Sequence, residues 1–305
     1  MQESVLSTVV LPLALGIIML GLGLSLTLSD FTRVIKYPKA IFIGLICQMF
    51  LLPLAALCIA LIFELSPALA VGLMLLAASP GGPTANLYSH LANGDVALNI
   101  TLTAVNSVLT LFSLPLIVSL SMDYFLGEAH AIPMPFDKIL SVFAIVLIPV
   151  SLGMLIKHYQ PNFSTKLAKP VKLASAILLF LVIAATIVKD LDVLVAYFAQ
   201  IGLAALAFNL LSLLGGYFIP KLFNIEQKQA IAIGMEIGIH NGTLAIFIAL
   251  TVLNNSTMSI PPAIYSIIMF FTAAAFGYGI NRKKENAAAR KSIDTDVPLE
   301  TDDLH

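Results

Sequence analysis

Tryptophan is absent from this chain, cysteine occurs twice, and only 11% of the residues are charged. Without tryptophan, any aromatic belt at a membrane surface has to rest on Tyr and Phe. Cys47 and Cys58 share one apolar stretch at a spacing that suits neither a metal site nor a local disulfide, and both read as packing residues. No HExxH run, serine elbow or closely spaced His and Cys ligands occur, which removes the usual sequence marks of a metallohydrolase or a serine hydrolase. The net charge of -1 gives no attraction to nucleic acid. A soluble domain carries roughly 25% charged residues, so this composition does not describe one.

What is present is apolar. Hydrophobic residues make up 59% of the chain, the mean hydropathy is +0.98, and hydrophobic runs recur from residue 5 to residue 280. The chain reads as an all-α, multi-pass membrane protein. Met1-Gln2-Glu3-Ser4 has no positive charge and the run behind it is about as long as a bilayer, so the first segment reads as a retained helix and not as a cleaved signal.

Windows of about 20 apolar residues give nine spans: 6 to 27, 40 to 63, 67 to 93, 96 to 121, 135 to 156, 168 to 188, 192 to 219, 228 to 253 and 260 to 280. With the N-terminus outside, 14 of the 16 Lys and Arg residues fall on the inner side, leaving Lys138 and Lys189 outside. That asymmetry predicts N-out and C-in. Residues 281–305 are polar and lack apolar periodicity, and are expected to form a disordered cytoplasmic tail after a transmembrane domain over 1–280.

Two spans are interrupted. Ser79-Pro80-Gly81-Gly82-Pro83-Thr84-Ala85-Asn86 should stop a helix near Ser79 and restart it near Pro83. Gly238 and Gly242 bracket His240 and Asn241 in the eighth span. One such break can be a simple kink. Two, in spans that run in opposite directions under this topology, suggest an inverted repeat of about five helices whose first member is missing. Non-helical backbone at membrane depth is tolerated where protein or a hydrated cavity surrounds it, so the breaks are candidate binding sites. Free N-H groups near Pro83 and Gly242 suit an anion, and carbonyls near Glu236 to Ile239 suit a small cation.

Glu236 sits in the middle of the eighth span, where an acid costs about 2.5 to 3.5 kcal/mol on insertion scales. Either it pairs with a buried group or it handles an ion. Gln48 can be a helix-to-helix hydrogen-bonding residue, and Asn106, Ser107 and Asn209 either line a cavity or pack.

At the two breaks the chain resembles the bile acid:sodium symporter family, in which they read Pro-Gly-Gly-Thr-Ala-Ser-Asn and Glu-Val-Gly-Met-Gln-Asn. The segments from Gly94 to Thr103 and from Gly16 to Leu24 resemble that family as well. The likeness implies a bacterial member of nine-span form, with discontinuous helices crossing near the midplane. It also implies a panel of helices (about 6–27, 135–156 and 168–188) that moves against a core (about 40–121 and 192–280).

The implied function is sodium-coupled uptake of a small organic anion, a bile-acid-like or pantoate-like carboxylate, by alternating access. The protein would be no enzyme, would sit in the inner membrane, and would need no cofactor and no obligate protein partner. By resemblance, a first sodium site uses Asn86, Asn99, Thr103 and Glu236. A second uses Gln48, Glu236, His240 and the main-chain carbonyls of Ile237 and Ile239. Pro83, Thr84 and Asn241 face the substrate. Four residues depart from the family pattern: Ala85 and Asn99 stand where serines are usual, Pro83 where a threonine is, and His240 where a glutamine is. Imidazole nitrogen is a poorer sodium ligand than an amide oxygen, so proton coupling through Glu236 and His240 is an alternative. An intramembrane enzyme using the same pair, and a passive channel, are more remote ones.

Overall fold

The computed structural model describes residues 9–127, 136–189 and 191–295. Among the described residues the secondary structure is helical, apart from a single isolated β-bridge. The helices are α1 (Leu11–Ser25), α2 (Leu28–Thr32), α3 (Pro38–Ile46), α4 (Leu52–Ile62), α5 (Pro67–Ala78), α6 (Ala85–Leu91), α7 (Val96–Leu126), α8 (Phe136–Tyr159), α9 (Pro161–Lys189), α10 (Leu191–Leu222), α11 (Gln227–Gly238), α12 (Gly242–Phe247) and α13 (Ile260–Thr295).

Five stretches are apolar and long enough to cross a bilayer: Pro38–Ile62, Val96–Leu126, Leu140–Tyr159, Ile201–Leu222 and Thr257–Arg282. A sixth is α1 taken with Leu28–Ile35, a pair bent by 72°. Beyond the bend the chain forms a short helix, closed by a Thr27/Asp30 capping box and an Arg33–Asp30 ion pair of 2.6 Å. The second span, α3 to α4, carries a π-turn at Cys47–Leu51, and this turn holds Gln48. Such turns often mark functional positions in helices.

α1 packs against α8 and α9, whereas α10 packs against α11 and α13, and α5 and α11 both lie against α7. The α1–α8 contact is close because two glycines meet there. A Cβ on Gly23 would strike the Val150 carbonyl, and one on Gly153 would strike the backbone of Leu20 to Leu24. Small residues that let helix backbones touch are a usual solution where lipid offers no hydrophobic drive to associate. Gly153→Val is therefore expected to destabilise the detergent-purified protein by about 1 to 3 kcal/mol through overpacking, read as a lower thermal unfolding midpoint; an unchanged midpoint would show that the two helices have room to separate.

Two sequence expectations need correction. The tail expected to be disordered from residue 281 is helical as far as Thr295, since α13 continues unbroken. Residues 283–291, Lys-Lys-Glu-Asn-Ala-Ala-Ala-Arg-Lys, are mostly strong helix formers, and no Gly or Pro intervenes before Pro298. The part from 296 to 305 lies outside the described residues. Of the two cysteines expected to pack, Cys47 is buried and Cys58 is exposed, because it falls on the outward stripe of α4 beside Leu54 and Leu61.

Candidate functional site

α5 ends at Ala78 and the chain runs extended through Pro80 and Gly81 before α6 starts at Ala85, two residues later than the Pro83 restart expected from sequence. α11 ends at Gly238 and α12 begins at Gly242, capped by the Asn241 side chain, whose Oδ1 accepts from Leu244 N at 3.1 Å. The two gaps pair with each other. Gly82 N donates to the Ile239 carbonyl at 2.7 Å and Asn241 N to the Pro80 carbonyl at 2.9 Å, an antiparallel bridge centred on Gly81 and His240. Each break thus satisfies part of the other's backbone, which apolar surroundings would otherwise leave unpaired.

Side chains cap three further carbonyls at the helix ends. Gln48 Nε2 donates to the carbonyls of Ser79 (2.9 Å) and Ala77 (3.4 Å), and His240 Nδ1 sits 3.1 Å from the same Ser79 oxygen. A carbonyl can only accept, so this contact assigns a proton to Nδ1, and in the neutral ring Nε2 then offers a lone pair. The ring stacks on Phe208 and meets Tyr265 edge-on. On the far side, Asn209 Nδ2 and Tyr265 Oη both donate to the Gly238 carbonyl at 3.0 Å.

Glu236 is wholly buried. Thr103 Oγ1 lies 2.6 Å from its Oε2, and Asn106 Nδ2 lies 3.5 Å from Oε1. The carboxylate also rests on Gly81, where a Cβ would overlap it. Among the described residues no Lys or Arg forms an ion pair with it. A carboxylate enclosed by one hydroxyl, one amide and apolar groups needs a proton or a bound cation to balance its charge.

The residues picked from sequence are unevenly gathered. Thr103 touches Glu236 directly, and Asn99, one turn earlier on α7, donates to the Ala232 carbonyl one turn before Glu236 (2.7 Å). Gln48 and His240 meet on the Ser79 carbonyl. Asn86 lies half-buried on α6, with its amide oxygen buried. Asn241 lines a narrow cleft with Pro80 and Leu244; α7 contributes Ser107, Thr110 and Leu111, and Met19 of α1 with Phe143 of α8 closes the other side. Pro83 and Thr84, half-buried, are not part of its lining. Sequence reasoning passed over Phe208 and Tyr265, whose aromatic character reads as ordinary core.

Several of these groups have no protein partner. Gln48 Oε1, Asn86 Oδ1, Asn99 Oδ1, Asn106 Oδ1 and His240 Nε2 are all buried acceptors without a donor. Natively buried polar atoms are nearly all hydrogen-bonded, so lone acceptors on the elements that form the crossing, one of them on Asn106 beside the Glu236 carboxylate, have the chemistry of a cation site. Four of the five are oxygens, the donor preferred by hard cations. Among the described residues no three His, Cys, Asp or Glu side chains come together as a transition-metal site would require.

Comparison with known proteins agrees with this chemistry. The model of the sodium bile acid symporter family matches residues 12–197. An uncharacterized sodium-dependent transporter of Bacillus subtilis, YocS, is 27% identical over 279 residues, covering 91% of this chain and 85% of that protein. The ileal sodium/bile acid cotransporter of Homo sapiens is 24% identical over 286 residues, covering 92% and 81%. A probable chloroplastic sodium/metabolite cotransporter of Oryza sativa, BASS2, is 26% identical over 270 residues, covering 88% of this chain. The chain spans 63% of the length of that plant relative.

Proposed function

This multi-pass membrane chain belongs to the sodium bile acid symporter family, and we propose that it is a secondary active transporter carrying a small organic anion inward with sodium. The observation that carries the reading is the wholly buried Glu236 carboxylate with no cationic partner among the described residues, together with unpartnered buried acceptors on the elements of the crossing. Asn86, Asn99, Thr103 and Glu236 form the first sodium site in this reading; Gln48, Glu236, His240 and the carbonyls of Ile237 and Ile239 form the second. The three relatives named above carry transporter names, which argues against an enzyme.

The proposal extends to the architecture. Nine spans are counted by adding the two interrupted segments and α9 to the six apolar stretches, with the N-terminus outside and the C-terminus inside a bacterial inner membrane. The mutual packing of α1, α8 and α9 supports treating them as a panel, and the crossing with α7, α10 and α13 as a core. Alternating access would then open the cleft at Asn241 to one side and the other, with Pro83 and Thr84 joining the anion's path as panel and core separate.

Sodium serves as the counter-charge of Glu236, so loading and unloading of the cation alters the packing of the crossing beside the cleft. Two sodium ions with one monovalent anion would move a net charge of +1, and the membrane potential would add about 2.3 kcal/mol per 100 mV. One observation favours a second reading, proton coupling: His240 presents an unpartnered nitrogen where sodium prefers oxygen. Proteoliposomes with an imposed sodium or pH gradient separate the two. Sodium-driven accumulation at constant pH is expected, and uptake indifferent to sodium overturns the leading reading.

Asn241→Ala is expected to raise the substrate KM about 10-fold while leaving sodium half-saturation nearly unchanged, since the cleft loses an amide donor and the cation ligands stay. The opposite pattern in sodium titrations would remove Asn241 from the substrate side.

A further inference from the structure

The carbonyls at the end of α11 find different partners. In a continuing helix Asn241 N would bond to the Ile237 carbonyl, but it bonds to Pro80, and the Ile239 carbonyl accepts from Gly82 N. Between them, the Gly238 carbonyl accepts from Asn209 Nδ2 of α10 and from Tyr265 Oη of α13, both at 3.0 Å. Two donors fill both lone pairs of that oxygen, so Gly238 has none left for a cation. The other end of the same peptide unit is tied too, because Ile239 N donates to the Met235 carbonyl at 3.1 Å. The Gly238–Ile239 peptide plane therefore cannot turn without breaking three hydrogen bonds.

Both donors are themselves held, and both are fully buried. The Asn209 amide has its oxygen against the Thr272 hydroxyl of α13, which leaves Nδ2 for Gly238. The Tyr265 ring meets the His240 imidazole edge-on at 5.4 Å and tilts against Phe208 at 5.6 Å. One tyrosine thus touches both the backbone between Ile237 and Ile239 and the side chain of His240. The packing leaves little slack, since a Cβ on Gly238 would come 2.7 Å from Leu213 of α10 and one on Gly216 would strike Ile237. A single donor is enough to satisfy a helix-end carbonyl; two donors from different helices also fix its direction.

We propose that Asn209 and Tyr265 are positioning residues for the coupling cation: they touch neither the cation nor the anion, and by fixing the Gly238 carbonyl and the His240 ring they hold the Ile237 and Ile239 carbonyls at the spacing that selects sodium. This rests on the second sodium site proposed above. Selectivity among alkali cations at backbone carbonyls depends on the size of the cage and on how freely its ligands can close. With the Gly238 peptide tied, the neighbouring carbonyls cannot close around the smaller lithium ion; with it loosened, they can.

The test measures equilibrium binding of radiolabelled sodium to the detergent-purified full chain, with lithium as competitor, in wild type, Tyr265→Phe, Asn209→Ala and the double variant. Tyr265→Phe keeps the ring against His240 and removes only the Oη donor. It should weaken sodium binding about 3- to 10-fold and lithium binding less, so that the lithium-to-sodium affinity ratio rises. Asn209→Ala should act in the same direction. The double variant should lose more than the two single factors multiplied, because either donor alone still holds the carbonyl. A role in packing alone lowers the thermal unfolding midpoint without moving the ion ratio. An unchanged sodium affinity and ion ratio in Tyr265→Phe overturns the proposal, whether or not the double variant folds. So does an equal loss of sodium and lithium, and so do single factors that simply multiply. A wild type without saturable sodium binding removes the transport reading as well, whereas saturable wild-type binding with unaltered variants removes the positioning role alone.

Discussion

Glu236→Gln is expected to abolish sodium-driven accumulation while leaving a folded protein. Glutamine keeps the shape of the side chain and can still meet Thr103 and Asn106, so the substitution removes charge with little change in packing. Taking one partner from a buried ion pair costs roughly 3 to 5 kcal/mol, which corresponds to a weakening of sodium activation by more than about 100-fold. The protein should not lose stability in sodium-free buffer, since the neutral amide removes an uncompensated buried charge. Thermal unfolding gives an independent readout. In wild type, sodium at about 100 times its dissociation constant should add roughly 2.7 kcal/mol, and Glu236→Gln should show no sodium-dependent shift. A persisting shift would mean that the cation binds elsewhere.

Much of the site was visible in the sequence because it is made of anomalies. A Pro-Gly-Gly-Pro run and a carboxylate inside apolar spans each oppose the rule that governs their surroundings, and α5 ends at Ala78, one residue before the Ser79 stop expected from that run. How the breaks join was not visible. The bridge between Gly81 and His240 links positions far apart in the chain, and no local pattern encodes it. Asn106, Asn209 and Tyr265 acquire their roles only through tertiary neighbours, because an isolated polar or aromatic residue on an apolar helix looks the same whether it packs or caps a carbonyl. The helix beyond residue 281 was missed for a different reason: the absence of apolar periodicity reports missing core contacts, and a charged, alanine-rich helix needs none.

Gly81→Ala tests the crossing itself. Gly81 lies opposite His240, and the bonds from Gly82 N to Ile239 and from Asn241 N to Pro80 fix the backbone on either side of it. An added Cβ would land within the Glu236 carboxylate, and a backbone held at both flanks cannot swing away. Glu236 must then turn off Thr103, or the bridge must open. Both routes disrupt the cation site, so sodium-driven uptake should fall by at least about 10-fold and the sodium-dependent thermal shift should vanish. Unlike Glu236→Gln, this variant should also be less stable in sodium-free buffer, by about 1 to 3 kcal/mol of overpacking strain. Gly82→Ala supplies the graded control, because a Cβ there would come 3.1 Å from the His240 carbonyl, tight without being prohibitive, and it should retain part of the sodium response. Wild-type sodium activation in Gly81→Ala would show that the Glu236 side chain has room to rearrange, and that its contact with Thr103 is not the geometry in which the cation is held.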